Sequence, residues 1–303
     1  MEPVAIQVEQ VSKVFGRRKP VQALDRVSFT VQRGEIFGLI GPNGAGKTTL
    51  MSCLLGFLDP DSGRIAVDGF PPDALEVRRR TGYLPERVGY SPELSGRRFL
   101  ELHARLLGLA PGLAEERIAA LAGEFGLSQE VLARRLATYS RGMRQRIGMV
   151  QALLGEPSLL FLDEPASGMD PEGVWLVRQA MLRAKARGAT VLLNSHQLAE
   201  IEKVCDRVAF LRQGKLERLE VLRQEQTLRL LLRTSGEATA AAVAALQQAG
   251  FASNPRGDGE LLVTTSEQRL PELAPILVAA GVPLLELRQA PAELEKLFLE
   301  DER

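Results

Sequence analysis

The chain is poor in cysteine and carries no net charge, and it has no apolar run of membrane-spanning length. Its two cysteines, Cys53 and Cys205, lie far apart without metal-type spacing. That favours two buried free thiols over a disulfide or a zinc-ligand pair. The 38 Lys and Arg balance the 38 Asp and Glu, which leaves no electrostatic footprint for nucleic acid or for an anionic membrane. No nucleic-acid partner is therefore expected. The densest basic run, Arg78-Arg79-Arg80, reads as a solvated helix face. No apolar stretch reaches the roughly 18–20 residues of a membrane helix, and Met1-Glu2-Pro3-Val4 does not open a basic-then-apolar signal segment. These absences predict a soluble, cytoplasmic chain. Any work at a membrane would need a membrane part supplied by another chain.

Glycine is present where it carries information. Gly41-Pro42-Asn43-Gly44-Ala45-Gly46-Lys47-Thr48 fits G-x-x-x-x-G-K-[ST] at every defined position. The context is also right: Glu35–Ile40 reads as a short buried strand, and Thr49–Leu55 as the start of a helix. Glycines let successive N–H groups curl inward around phosphate oxygens, and the helix N-terminus adds unpaired donors and a positive dipole end. Lys47 would reach the β- and γ-phosphates of a bound nucleotide, and the Thr48 hydroxyl would bind Mg2+. Thr49 belongs to the same nucleotide-binding set.

A second constellation lies downstream. Ser158-Leu159-Leu160-Phe161-Leu162-Asp163-Glu164-Pro165 is an apolar strand ending in two carboxylates, which can point to different sides and divide the labour. Asp163 would hold Mg2+ through its water shell, and Glu164 would polarise the water that attacks the γ-phosphate. In Tyr139-Ser140-Arg141-Gly142-Met143-Arg144-Gln145-Arg146, Ser140 is placed as a helix N-cap, and Gly142 allows close approach of another surface.

Together these motifs resemble the ATP-binding cassette (ABC) ATPases over about residues 4–220. Ser140 and Gly142 match the family's Leu-Ser-Gly-Gly-Gln signature, as does the Gln145-Arg146 tail, while Tyr139, Arg141 and Met143 depart from it. The resemblance identifies Asp170 in Ser167-Gly168-Met169-Asp170 as the Asp-loop residue, and His196 as the switch histidine contacting the γ-phosphate. It also identifies Phe15 as the aromatic platform for adenine. Tyr83-Leu84-Pro85-Glu86 falls where the family carries a Q-loop glutamine. Glu86 could still serve Mg2+ or its water, but an ionised carboxylate cannot donate a hydrogen bond.

Expected strands are Val4–Val8, Arg26–Val31, Glu35–Ile40, Gly63–Val67, Leu159–Leu162, Thr190–Leu193 and Arg207–Leu211. Most would be buried on both faces of a mainly parallel sheet, with an antiparallel β-portion near the N-terminus. Arg97–Leu109, Ala114–Phe125 and Ser140–Leu154 carry helical spacing and predict a helical subdomain at about 86–155, broken at residues 108–112. The fold class is thus an α/β P-loop cassette over residues 1–220. A small α+β accessory domain follows over 223–303, in β-α-β-β-α-β order with the Leu228 strand first and one of its four strands not placed. In it, Leu228–Arg233, Leu261–Thr265 and Val282–Leu287 read as strands. Ala238–Ala249, Pro271–Ala280 and Pro291–Leu299 read as helices.

The resemblance implies an ATP-hydrolysing homodimer closing head to tail, docked peripherally on separate transmembrane permease subunits and powering an exporter. An importer ATPase with a regulatory C-terminal domain is the alternative. A soluble DNA-repair relative would show a long coiled coil or zinc cysteines, and a translation-type relative two cassettes; the sequence shows neither.

Overall fold

The computed structural model describes residues 3–16, 18–87, 89–222, 227–257, 259–266 and 269–290. The chain divides into two compact units, Met1–Leu222 and Arg223–Arg303.

In the first unit the strands are β1 (Val4–Phe15), β2 (Val21–Gln32), β3 (Ile36–Ile40), β4 (Ser62–Val67), β5 (Thr81–Leu84), β6 (Leu159–Asp163), β7 (Thr190–Asn194), β8 (Arg207–Arg212) and β9 (Lys215–Val221). An antiparallel sheet has the order β2-β1-β4, and a six-stranded sheet the order β5-β6-β7-β3-β8-β9. The larger sheet is parallel except for β9. Strands β3, β6 and β7 are buried at every position, which is why they read as continuous apolar runs. The two sheets share a core in which Phe29 of β2 stacks on Phe37 of β3, ring centroids 5.3 Å apart.

β1 and β2 pair from Val4↔Gln32 to Phe15↔Val21 and are each 12 residues long, about twice the expected lengths. Register shifts at Val8/Val11 and Val11/Lys13, with Gln10 at φ +50°, interrupt the alternation of apolar residues. A bulge of this kind hides the continuing strand from a period-two reading. β5 and β9 lie at the two edges of the large sheet; neither has an apolar run to announce it.

The helices of this unit are α1 (Lys47–Leu54), α2 (Leu75–Arg80), α3 (Gly96–Leu106), α4 (Pro111–Glu124), α5 (Gln129–Ala133), α6 (Arg141–Leu153), α7 (Pro171–Ala186) and α8 (Leu198–Val204). The expected break at 108–112 is shorter than it reads. Pro111 is the first residue of α4, where its missing N–H costs no bond. Ser140 caps α6 as expected, its Oγ accepting the Met143 N–H at 3.2 Å. Both cysteines are buried, and neither forms a disulfide. No helix among the described residues is long and apolar enough to cross a membrane.

The second unit holds an antiparallel sheet, β10 (Thr227–Arg233), β11 (Ala252–Gly257), β12 (Glu260–Ser266) and β13 (Glu286–Gln289), in the order β11-β12-β10-β13. Helices α9 (Thr239–Gln248) and α10 (Leu273–Ala279) pack Ala242, Leu246, Leu273 and Leu277 against Leu232, Leu261 and Val263. Pro275 is the third residue of α10, still within the first turn, where N–H groups have no partner in the helix. β11 escapes a sequence reading because Asn254-Pro255-Arg256-Gly257 looks like a turn. It lies at the sheet edge, where proline is tolerated. The last strand begins at Glu286, not at Val282. The helix expected at Pro291–Leu299 lies outside the described residues.

Candidate nucleotide site

The C-terminal ends of β3, β6 and β7 converge, the usual place for a ligand in an open α/β sheet. The phosphate loop leaves β3 and enters α1 through Gly46, at φ +104°. A Cβ on Gly46 would sit 2.4 Å from the Ala23 carbonyl oxygen, so no other residue fits there. Gly44, at φ +80°, faces open space, leaving room for phosphate. Lys47 is buried at the start of α1 and donates to the carbonyls of Gly41 (2.7 Å) and Pro42 (3.1 Å). Burial pushes its pKa down against the pull of Glu164, Asp163 and Glu86. Thr48 is exposed one residue further on, with Thr49 half-buried behind it.

Asp163 ends β6 opposite Asn194 of β7, and Asn194 Nδ2 donates to its Oδ1 at 2.5 Å. Burial raises the Asp163 pKa, the Asn194 bond lowers it, and the charges of Glu86 and Glu164 raise it again. Glu164 has φ +50°, a left-handed conformation that is costly for a side chain of this kind and persists only where neighbours enforce it. They do so on every side. Its N–H donates to the Asn194 carbonyl at 2.8 Å, and its carbonyl accepts from the buried Gln145 Nε2 at 3.0 Å. Its carboxylate takes the His196 N–H at 3.0 Å and lies 2.8 Å from His196 Nδ1. His196 is otherwise exposed, and β5, pairing with β6 up to Leu84↔Leu162, delivers Glu86 to the same sheet end.

Hard oxygen donors, a hydroxyl at Thr48 and a carboxylate at Asp163, suit Mg2+. Among the described residues no group of three His, Cys, Asp or Glu forms a ready cage. The set therefore fits an ion that keeps waters and phosphate oxygens in its shell. Phe15 ends β1 and is 44% exposed.

The signature segment lies against the loop following Glu164. Arg141 donates to Ser167 Oγ at 2.6 Å, Arg146 to Asp170 Oδ1 at 2.8 Å, and a Cβ on Gly142 would stand 3.3 Å from the Gly168 carbonyl. Tyr139 is buried and donates to the Val131 carbonyl at 2.7 Å, so its departure from the signature leucine is a packing solution. Asp170 caps α7 through the Gly173 N–H at 3.0 Å. Asn194 and Gln145, which position the two carboxylates, were not assigned roles from sequence. Asn194 ends an apolar strand one residue before Ser195-His196, and that position was its only signal.

The family model described as "ABC transporter" matches residues 24–167. An uncharacterized ABC transporter ATP-binding protein of Nostoc sp. is 43% identical over 219 residues, covering 71% of this chain and 65% of that protein, so the match spans just under two thirds of it. The linearmycin resistance ATP-binding protein LnrL of Bacillus subtilis is 33% identical, covering 70% of this chain and 67% of its own length. The Nod factor export ATP-binding protein I of Burkholderia lata is 37% identical, with 70% of each chain covered. Among solved structures, an ATP-binding subunit of an ABC transporter is 32% identical with a TM-score of 0.67, covering 81% of this chain and 93% of that one. A dimeric ATP-binding cassette in a post-hydrolysis state with ADP and Pi shares the fold at 21% identity, with a TM-score of 0.68 over 73% of this chain and all of that one.

Proposed function

The chain belongs to the ABC transporter family of ATP-binding proteins, and on that premise we propose that it is the ATP-hydrolysing subunit of a membrane exporter. It works as a head-to-tail homodimer on separate permease subunits at the inner face of the cell membrane. Relatives named for linearmycin resistance and Nod factor export support the direction. The observation that carries the hydrolytic reading is the enforced position of Glu164, with its backbone held by Asn194 and Gln145 and its carboxylate by His196.

In this reading the phosphate-loop N–H groups and Lys47 hold the β- and γ-phosphates, and Phe15 stacks on adenine. Asn194 orients Asp163, which with Thr48 would hold Mg2+ and has Glu86 nearby. Bound Mg2+ supplies charge neutralisation at the phosphates. Glu164 accepts the proton of the attacking water while His196 keeps its carboxylate aimed. Ser140 and Gly142 of one subunit, with Asp170 beside them, complete the site of the other.

Glu164→Gln keeps the shape and loses the charge. It should lower the hydrolysis rate by a factor on the order of 10²–10⁴ while ATP affinity is kept, and the variant should accumulate as an ATP-bound dimer in size-exclusion chromatography. Near-normal ATPase activity from a monomeric variant would remove Glu164 from this role.

A further inference from the structure

Phe15 is the last residue of β1, opposite Val21 of β2. A ring exposed at a strand end has little packing of its own to fix it, so its placement depends on the backbone just before it. That backbone is gripped from the turn after α1. Asp61 Oδ2 accepts the Val14 N–H at 2.7 Å, and Oδ1 accepts from Lys13 Nζ at 2.8 Å. The Asp61 N–H donates to the Ser12 carbonyl at 2.9 Å, and Lys13 Nζ donates again to the Asp59 carbonyl at 2.7 Å. Thus the three residues 12–14 are each bonded to the 59–61 turn. The Lys13 side chain is only 14% exposed, and its ammonium lies 5.9 Å from the Phe15 ring centroid. The bond from Lys13 and then the Val14 N–H hold the Asp61 carboxyl below the usual carboxylate range, so it stays ionised at neutral pH.

The geometry points to Asp61 as the positioning residue of the nucleobase platform, acting through the Lys13-Val14 backbone on Phe15. The inference rests on reading Phe15 as the adenine-stacking residue. Its consequence is a link between the two ends of a nucleotide. α1 begins at the phosphate loop and runs eight residues, about 12 Å, and residues 55–60 join it to Asp61. The segment that leaves the phosphate end of the site thus also holds the backbone just before the base platform. Losing the anchor should weaken recognition of the base and leave recognition of the phosphates alone.

The test uses the full chain and two probes with Mg2+, ATP and inorganic tripolyphosphate, titrated against Phe15→Ala, Asp61→Ala, Asp61→Asn and the double variant Phe15→Ala/Asp61→Ala. Asp61→Ala should weaken ATP by about five- to tenfold, less than loss of the stacking ring itself. It should raise KM with kcat nearly unchanged and leave tripolyphosphate affinity at the wild-type value. Asp61→Asn, which keeps an acceptor for the Val14 N–H, should fall between. The double variant should be no weaker than Phe15→Ala alone, since both act through one ring. An equal loss for tripolyphosphate would place Asp61 in support of the phosphate loop and overturn the inference. So would wild-type ATP affinity in Asp61→Ala when Phe15→Ala is weakened. If Phe15→Ala itself leaves ATP affinity unchanged, the platform reading falls first, and the inference with it.

Discussion

Lys47 meets the fields of three carboxylates, Glu164, Asp163 and Glu86. Three carboxylates around one ammonium set negative charge beside the phosphate cradle, which works against binding a triphosphate without its cation. Glu86 is the member that, on the resemblance, stands where the family carries a glutamine. Replacing Glu86 with Gln removes one negative charge and supplies an amide donor. Metal-free ATP should then bind roughly three- to tenfold tighter, and hydrolysis should change in its dependence on Mg2+ concentration, with the fold unaffected. Paired titrations with and without Mg2+ decide this. Superimposable curves for the two proteins would mean that Glu86 has no part in the chemistry, whatever its place in the chain.

Between residues and the whole molecule stands the contact of α6 with the loop from Glu164 to Asp170. Gln145, Arg141 and Arg146 bond Glu164, Ser167 and Asp170 in turn, so α6 and the segment leaving β6 are tied together at three points. Arg146, then the Gly173 N–H, holds the Asp170 carboxyl below the usual range. A depressed carboxyl contributes stability above its unfolded-state pKa and loses it as pH falls through the folded one. Arg146→Met should therefore lower Tm most at neutral pH, and the difference from wild type should shrink as pH drops through the carboxylate range. A pH-independent difference would assign the effect to the Arg146–Phe125 carbonyl bond at 3.1 Å alone. This level also marks what the sequence could not show. Phosphate loop, carboxylate pair and N-cap are local patterns, readable from neighbours in the chain. The φ +50° at Glu164, the Asn194 bond to Asp163 and the Asp61 grip on Val14 depend on pairings 19 to 47 residues apart, which no local pattern encodes. Edge strands β5, β9 and β11 were missed for the opposite reason: half-solvated or interrupted by Pro255, they lack the apolar runs that announced β3, β6 and β7.

At the scale of the molecule, the two units have separate cores, and their spectroscopic probes are unevenly shared. The chain's only Trp, Trp175, its three Tyr and both cysteines all precede Leu222. Cys53 and Cys205 are buried, and burial pushes the Cys53 thiol up to about 11, so neither should react with a thiol reagent in native buffer near neutral pH. Tryptophan fluorescence and thiol labelling therefore report the opening of Met1–Leu222 alone, whereas far-ultraviolet circular dichroism reports both units. A fragment ending at Leu222 should fold, hydrolyse ATP, and unfold in denaturant with all three probes coincident. The full chain should show the same fluorescence midpoint, with a circular dichroism curve that does not superimpose on it, because the four-stranded sheet melts on its own account. Rapid labelling of the native fragment, or its insolubility, would show that the second unit completes the first one's core. Coincident curves in the full chain, shifted to a higher midpoint than in the fragment, would show that the two units unfold as one.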